Sequence, residues 1–166
     1  AAPGMLAEEA RLLRDFSLPT ERTFRTYGLL RAGPNISDVA YDQATGRGGP
    51  VTAQASSRFF DDLTWRGSQA IDGDPNTAWV PAAPEIGASL TLTGPTQTIS
   101  ELKITQDSRA WVDRLAISAD GVSLGEFEVA AGESVIPLPA TTASSLELTL
   151  VSRNGDATLP IFFNEV

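Results

Sequence analysis

From Val51 to the C-terminus, the sequence predicts an all-β fold built as a β-sandwich. Apolar and polar residues alternate with a period of two in roughly eight short segments, which is the pattern of strands that bury one face. Turn-forming residues separate the segments, as in Thr93-Gly94-Pro95 and Ala119-Asp120-Gly121. Many short strands with regularly spaced turns are typical of a sandwich.

The first fifty residues have a different texture, and we expect residues 1–50 to form an appendage and linker before a sandwich domain at residues 51–166. Residues 5–16 carry apolar side chains at helical spacing and predict a short helix. Residues 22–31 alternate and predict a strand. Residues 42–50 are rich in glycine and predict the linker.

The predicted strands of the sandwich follow in chain order. Their inward-facing apolar residues are Val51, Ala53 and Ala55; Leu90 and Leu92; Leu102 and Ile104; Leu115 and Ile117; Phe127 and Val129; Ile136 and Leu138; Leu146, Leu148 and Leu150; and those of residues 159–166. Each segment has polar neighbours on the alternate positions, so each sheet is expected to have one face in water.

Composition excludes several classes of function. The net charge of −9 disfavours nucleic acid, whose phosphates require a basic surface, and weakens any case for direct docking on anionic lipid. The absence of cysteine and histidine removes thiolate and histidine metal sites as well as Ser-His-Asp and Cys-His catalysis. No apolar run is long enough to span a bilayer, so we expect contact with a membrane only through a larger parent protein.

Residues 69–79 form a turn that is rich in oxygen donors. Such a turn suits a hard cation such as calcium, although an ion-free Asx turn would use the same residues. Asp72, Asp74 and Asn76 match the first, third and fifth positions of an EF-hand loop. The next position of that loop requires glycine and is Thr77 here, and the twelfth requires glutamate and is Ala83. An EF-hand is therefore not predicted.

The order of landmarks after Val51 resembles the coagulation factor V/VIII type C, or discoidin, domain. The resemblance is nearest to bacterial carbohydrate-binding modules of family 32. Ala55-Ser56-Ser57 ends the first strand, and residues 70–79 (AIDGDPNTAW) are similar to the family signature A-x-D-G-(x)-x-x-T-x-W. Residues 118–121 (SADG) resemble its hairpin, and residues 164–166 (NEV) its last strand. The resemblance implies a discoidin-like jelly-roll β-sandwich, here with a short N-terminal helix and strand appendage.

The resemblance also implies one structural calcium ion at this turn. Matching residue by residue, the ligands would come from Gln69, Asp72, Asp74, Thr77, Asn164 and Glu165. Carboxylates would come from Asp72 and Glu165, and carbonyls or a hydroxyl from the others, so the ion would join the turn to the last strand. Trp79 is expected either to pack in the core or to floor a ligand site.

A glycan would bind on loops at one end of the sandwich, where aromatic rings stack on sugar faces and polar groups bind hydroxyls. The candidates for carbohydrate binding are Arg58, Phe59, Trp65, Arg109, Trp111 and Asn154. Loops of the resembled family often carry a sugar-binding histidine, which this chain lacks, so its ligand chemistry must differ.

The leading hypothesis is a non-catalytic carbohydrate-binding module of a larger extracytoplasmic protein, periplasmic or at the cell surface, with a cell-wall or extracellular glycan as partner. Composition and the appendage also resemble the C-terminal region of actinobacterial arabinofuranosyltransferases, which build cell-wall arabinan. The alternative is a structural or protein-interaction domain without a sugar site. A glycosidase using Glu126 and Glu128 is disfavoured because this pair lies on a predicted wet face without a cleft. Lipid insertion through Phe59, Phe60 and Trp65 is disfavoured by the acidic charge.

Overall fold

The computed structural model describes Gly33 and residues 36–166, and the latter form one compact unit. The helix predicted at residues 5–16 and the strand predicted at residues 22–31 lie outside the described residues. Helix α1 covers Asp38–Thr45, so the first part of the predicted linker is helical. The Ser37 hydroxyl caps the helix by accepting from the Ala40 amide, and Gly46 ends it in the left-handed conformation with φ 72°.

Within residues 36–166, six strands form the rest of the scaffold, with three short 3-10 turns between the first two. The strands are β1 (Thr52–Ala55), β2 (Ser89–Gln106), β3 (Ala110–Ala119), β4 (Val122–Glu128), β5 (Glu133–Gly155) and β6 (Phe163–Glu165), and the turns are Phe59–Asp61, Leu63–Trp65 and Gly67–Ala70. The strand order is β1-β2-β5-β3-β4, all neighbours are antiparallel, and β6 pairs with β2.

Strands β2 and β5 are long and irregular, and each merges two predicted strands. The predicted turn at residues 93–95 lies inside β2, where pairing with β5 shifts register between Thr93 and Gln97. Both halves of the β2–β5 pair still bury side chains in one core, with Leu90 and Leu148 from one half and Ile104 and Ile136 from the other. A single sheet can do this only by folding over itself, so the predicted all-β sandwich is confirmed.

The predicted hairpin at residues 118–121 is confirmed, since Asp120 and Gly121 connect β3 to β4. Both residues have positive φ values, 46° and 79°. Asp120 tolerates this conformation because its carboxylate accepts from the backbone amides of Ser144 and Ser145 on β5.

Trp79 joins the oxygen-rich turn of residues 69–79 to strand β6. Its backbone exchanges hydrogen bonds with Phe163, with N···O distances of 2.9 and 3.0 Å, and the ring centroids are 5.3 Å apart. The indole is fully buried and donates to the Ser57 carbonyl at 3.0 Å. Of its two expected roles, Trp79 takes the core position and does not floor an exposed site.

Among the described residues, none of the helices has the length and hydropathy that a membrane span requires.

Replacement of a core residue should cost far more than replacement of an exposed one of similar chemistry. Leu148→Ala removes a side chain that is 1% exposed, and we expect a loss of about 2–5 kcal/mol in the free energy of unfolding. Val122→Ala, at a position 67% exposed, should change it by less than about 0.5 kcal/mol. Urea unfolding followed by tryptophan fluorescence measures both values, and equal losses would contradict the described core.

Candidate functional site

The predicted glycan-binding residues lie on connections and strand ends at one end of the sandwich. Strand β1 ends at Ala55 beside the start of β2, and β5 ends at Gly155 beside the start of β3. The connections at residues 56–88, 107–109 and 156–162 therefore leave the sheet at the same end. We call this surface the loop end.

Residues 58–66, the aromatic loop, supply its most exposed ring. The Phe60 side chain is 86% exposed and packs beside Phe59, with ring centroids 4.3 Å apart. Trp65 is half-buried and lies edge-on to Phe162 at 5.8 Å. From the sequence, Phe59 was the carbohydrate-binding candidate and Phe60 was considered only for lipid insertion, and Phe162 was not named.

Arginines bracket the aromatic loop, and both form ion pairs with α1. Arg58 Nη1 lies 2.8 Å from Asp38 Oδ1, and Arg66 Nε lies 2.8 Å from Asp42 Oδ1. The Arg58 side chain is only 13% exposed. Arg58 was predicted to contact a glycan, but its guanidinium is occupied by this ion pair and faces α1, so we assign it a supporting role.

A second group of candidates lies where β3 begins and β5 ends. Trp111 is half-buried and stands opposite Asn154 across the two strands. Gly155 has φ 82°, and a Cβ at this position would lie 2.9 Å from the Trp111 ring, so only glycine lets this ring settle against the backbone. Asn154 is exposed and its Oδ1 accepts from the Gly155 amide, which leaves its Nδ2 available to a ligand.

Arg109 is exposed and fixed by a neighbouring carboxylate. Its Nη2 lies 2.6 Å from Asp107 Oδ2 and its Nε donates to the same carboxylate. The hydrogen bonds from Arg109 hold the pKa of Asp107 below its ordinary value. Together the pair presents a fixed donor and acceptor, which is the chemistry that recognises adjacent hydroxyls.

Phe162 connects the two groups. Its carbonyl accepts from the Asp107 amide at 3.4 Å while its ring contacts Trp65. Arg153 stiffens the same surface by pairing with Glu85 at 3.1 Å and donating to the Asp156 and Leu159 carbonyls at 2.8 Å. Half-exposed rings surrounded by fixed polar groups suit a ligand with apolar faces and hydroxyl edges.

The oxygen-rich turn gathers acceptors around the Thr77 hydroxyl. Thr77 Oγ1 lies 2.8 and 3.0 Å from the Asp72 carboxylate oxygens, 2.9 Å from the Asp74 carbonyl and 3.2 Å from the Gln69 carbonyl. A hydroxyl supplies one proton, so it satisfies only one of these acceptors at a time. The cluster therefore has more lone pairs than donors, which is the condition that a cation relieves.

Glu165 adds an unsatisfied carboxylate to this cluster. Its Oε1 is buried without a hydrogen-bond partner in the described structure. Burial raises the pKa of Glu165, the nearby charges of Asp72 and Asp74 add to the rise, and the Gly73 amide opposes it. An orphaned buried carboxylate oxygen beside two further acids fits a divalent cation.

The remaining predicted metal ligands support the turn through side-chain amides. Asn164 Nδ2 donates to the Pro75 and Thr77 carbonyls at 3.2 Å, which ties β6 to the turn. The amide of Gln69, in the orientation that satisfies its neighbours, donates to Asp72 Oδ2 and accepts from Arg66. Among residues 36–166 no three acidic side chains form a metal-binding group on their own, so a cation here would depend on backbone carbonyls as well.

The carboxylate pair considered for catalysis lies on an exposed strand. The Glu126 and Glu128 side chains are 54% and 89% exposed and lie 3.7 and 4.0 Å from the Arg114 guanidinium between them. Neither is enclosed, so the pair lacks the cleft that two glycosidase carboxylates need around a sugar.

Comparison with known proteins identifies solved structures of similar fold. No family model and no curated protein matches the sequence. A chitosan-binding module of a chitosanase/glucanase from Paenibacillus sp. IK-5, solved with chitotriose, is 21% identical with a TM-score of 0.56, over 70% of this chain and 93% of that one. The family 32 module of NanJ from Clostridium perfringens, solved with galactose, is 21% identical with a TM-score of 0.55, over 70% and 90%.

A further Clostridium perfringens CBM32 module, solved with GalNAc-β-1,3-galactose, is 19% identical with a TM-score of 0.56, over 70% of this chain and 92% of that one. At this identity the likeness establishes architecture and leaves function to be argued from the site. The chain thus has the jelly-roll β-sandwich fold of discoidin-like family 32 carbohydrate-binding modules.

Proposed function

We propose that the chain is a non-catalytic carbohydrate-binding module that binds a glycan at the loop end. The observation that carries the proposal is that half-exposed and exposed rings lie at the loop end together with fixed polar groups; the rings are those of Phe60, Trp65, Phe162 and Trp111, and the polar groups those of Arg109, Asp107 and Asn154. Support comes from three modules of the same fold that were solved with chitotriose, galactose and GalNAc-β-1,3-galactose.

Binding would divide between apolar and polar contacts. The Trp65 and Trp111 rings are expected to cover the apolar faces of sugar units, since rigid aromatic rings give large contact area at small entropic cost. Asn154 and the Arg109–Asp107 pair would bind hydroxyls at the edges of the sugar. Such contacts give a weak affinity at a single site. Tethering of the module to a larger protein, or repetition of the glycan unit, raises the overall affinity.

The module is proposed to serve a larger extracytoplasmic protein that acts on or anchors to a cell-wall or extracellular glycan. Modules of this fold occur within catalytic proteins, as the chitosanase/glucanase origin of one neighbour illustrates. The predicted origin in an arabinofuranosyltransferase gains no support from the comparisons and is not part of this proposal.

A protein-interaction domain of the same fold is the second candidate, and one observation favours it. A groove of about 890 Å³ lies beside α1, and Arg66, Ser68 and Ile71 of the connection between β1 and β2 form part of its lining. Apolar side chains line much of it, including those of Val39, Val51, Leu92 and Ile99. An apolar groove of this kind suits a protein segment better than a sugar.

We also propose a structural calcium ion at the turn between Gln69 and Thr77. Asp72 and Glu165 would supply charge, and the Gln69 and Asp74 carbonyls with the Thr77 hydroxyl would supply neutral oxygens, because these atoms already crowd together without enough donors. The ion would relieve repulsion between acids that lie 93 positions apart in the chain, Asp72 and Glu165.

Removal of one aromatic ring should weaken glycan binding without unfolding the module. We expect Trp65→Ala and Trp111→Ala each to lower affinity about tenfold or more, equivalent to about 1.4 kcal/mol. Val135→Ala, on an exposed strand position outside the loop end, is the matched control and should bind as the wild type. NMR titrations with chitotriose, galactose and GalNAc-β-1,3-galactose measure the affinities. Absence of any wild-type binding at millimolar sugar, or full binding by both variants, would contradict the proposal.

Calcium should stabilise the folded module. Because an ion that binds only the folded state stabilises it by mass action, calcium at a hundred times its dissociation constant should add about 2.7 kcal/mol. Melting in calcium should therefore occur several degrees above melting in chelator.

Glu165→Gln tests the site more sharply. This variant should lose most of the calcium-dependent shift yet melt no lower than the wild type in chelator, because it removes an uncompensated buried charge. Glu147→Gln, at an exposed carboxylate on β5, is the control and should keep the full shift. Equal melting temperatures of the wild type in calcium and in chelator would contradict the calcium proposal.

A further inference from the structure

We infer that α1 is a positioning element of the glycan-binding surface, and that Asp38 and Asp42 set the conformation of the aromatic loop without touching the ligand. The inference rests on the proposed function and adds a requirement to it. The binding unit would begin with the helix at Asp38 and not at the predicted sandwich boundary at Val51.

Helix α1 contacts the aromatic loop at both of its ends. Arg58 and Arg66 are the first and last residues of the aromatic loop. Each arginine pairs with an aspartate on α1, four residues apart and therefore on one helix face. Both ends of the aromatic loop are thus attached to the same rigid element.

The buried Asp38 carboxylate accepts hydrogen bonds on both of its oxygens. The residue is 1% exposed, and its Oδ2 accepts from the Gly67 amide at 2.8 Å and the Ala55 amide at 3.1 Å, while its Oδ1 accepts from Arg58 at 2.8 Å. Three donors converge on one carboxylate, so asparagine would place an NH₂ group where an acceptor is required. A Cβ at Gly67 would lie only 3.2 Å from this carboxylate, which shows how closely the backbone approaches.

Asp42, on the same face of α1, holds the Arg66 end of the aromatic loop. Its Oδ1 accepts from Arg66 Nε at 2.8 Å in a pair whose side chains are 9% and 5% exposed. Arg66 passes the contact into the loop by donating from Nη1 to the Leu63 carbonyl at 3.0 Å, and its guanidinium lies over the Tyr41 ring at 5.3 Å. The helix therefore fixes the Leu63–Trp65 turn through one side chain, that of Arg66.

The backbone of the aromatic loop is strained and needs such support. Phe60 and Asp61 have φ values of 52° and 54°, which non-glycine residues adopt only where the surroundings impose it. The loop has no strand partner, and its own short 3-10 turns give poor hydrogen-bond geometry. Two backbone hydrogen bonds with Val80 hold it, one donated by the Phe59 amide at 2.8 Å and one accepted by the Trp65 carbonyl at 3.3 Å, and the two terminal ion pairs to α1 add side-chain anchors.

The test compares Asp38→Asn and Asp42→Asn with Asp120→Asn in the full chain. Asp120 is the matched control because its carboxylate also accepts from two backbone amides, but at the hairpin of β3 and β4. Three readouts are taken below the melting transition: glycan affinity by NMR titration, the tryptophan indole N–H signals, and the melting temperature. The chain has three tryptophans, and Trp65→Phe assigns the Trp65 signal.

We expect Asp38→Asn to weaken glycan binding about tenfold or more and Asp42→Asn about threefold or more, in protein that remains folded. The Trp65 indole signal should move while that of the buried Trp79 stays in place, which a uniform loss of stability would not produce. Asp120→Asn should bind as the wild type even where its melting temperature falls. Should Asp38→Asn fail to fold, the milder Asp42→Asn decides the question.

Unchanged affinity together with an unmoved Trp65 signal in the folded variants would overturn the inference. So would an equal loss of affinity in Asp120→Asn, because the effect would then follow stability and not the loop. If the wild type binds none of the glycans, the proposed function fails, and an unmoved Trp65 signal in the variants then separately overturns the positioning role.

Discussion

The backbone exchange between Trp79 and Phe163 is the interaction on which the rest of the structure depends. It brings β6 against the segment around Trp79, and the two buried rings, which are tilted by 34° to each other, close the core there. Phe162 is placed by this pairing and meets Trp65, while Asn164 and Glu165 are carried to the oxygen-rich turn. One contact between distant parts of the chain thus organises both candidate sites.

The two sites have different physical characters. The turn combines carboxylates, carbonyls and one hydroxyl in a place where donors are scarce, so its chemistry is that of a cation and its effect is on stability. The loop end combines rings with an arginine–aspartate pair and an amide, so its chemistry is that of a hydroxylated ligand. The acidic turn was the more conspicuous feature of the sequence, but the proposed function belongs to the loops around Trp65 and Trp111.

Much of the fold could be predicted from the sequence because its signals are local. Period-two alternation identified the strands, and Asp120-Gly121 identified a hairpin that the structure confirms. The merging of strands into long bent β2 and β5 could not be predicted, because Gly94 and Pro95 signal a change of direction without saying whether the strand ends or bends. The helix at Asp38–Thr45 was missed because its apolar pattern is weak and its stabilising partners, Arg58 and Arg66, lie outside it. For the same reason the sequence could suggest Arg58 as a sugar ligand but could not show that its charge was already paired.

The most direct test of glycan binding at the loop end is an NMR titration that follows the three tryptophan indole N–H signals as sugar is added. Trp65 and Trp111 lie on the proposed surface, and Trp79 is fully buried behind it and serves as an internal control. Our account predicts saturable shifts of the Trp65 and Trp111 signals with the Trp79 signal nearly unmoved. No saturable shift at either loop-end tryptophan with any of the three sugars would contradict it.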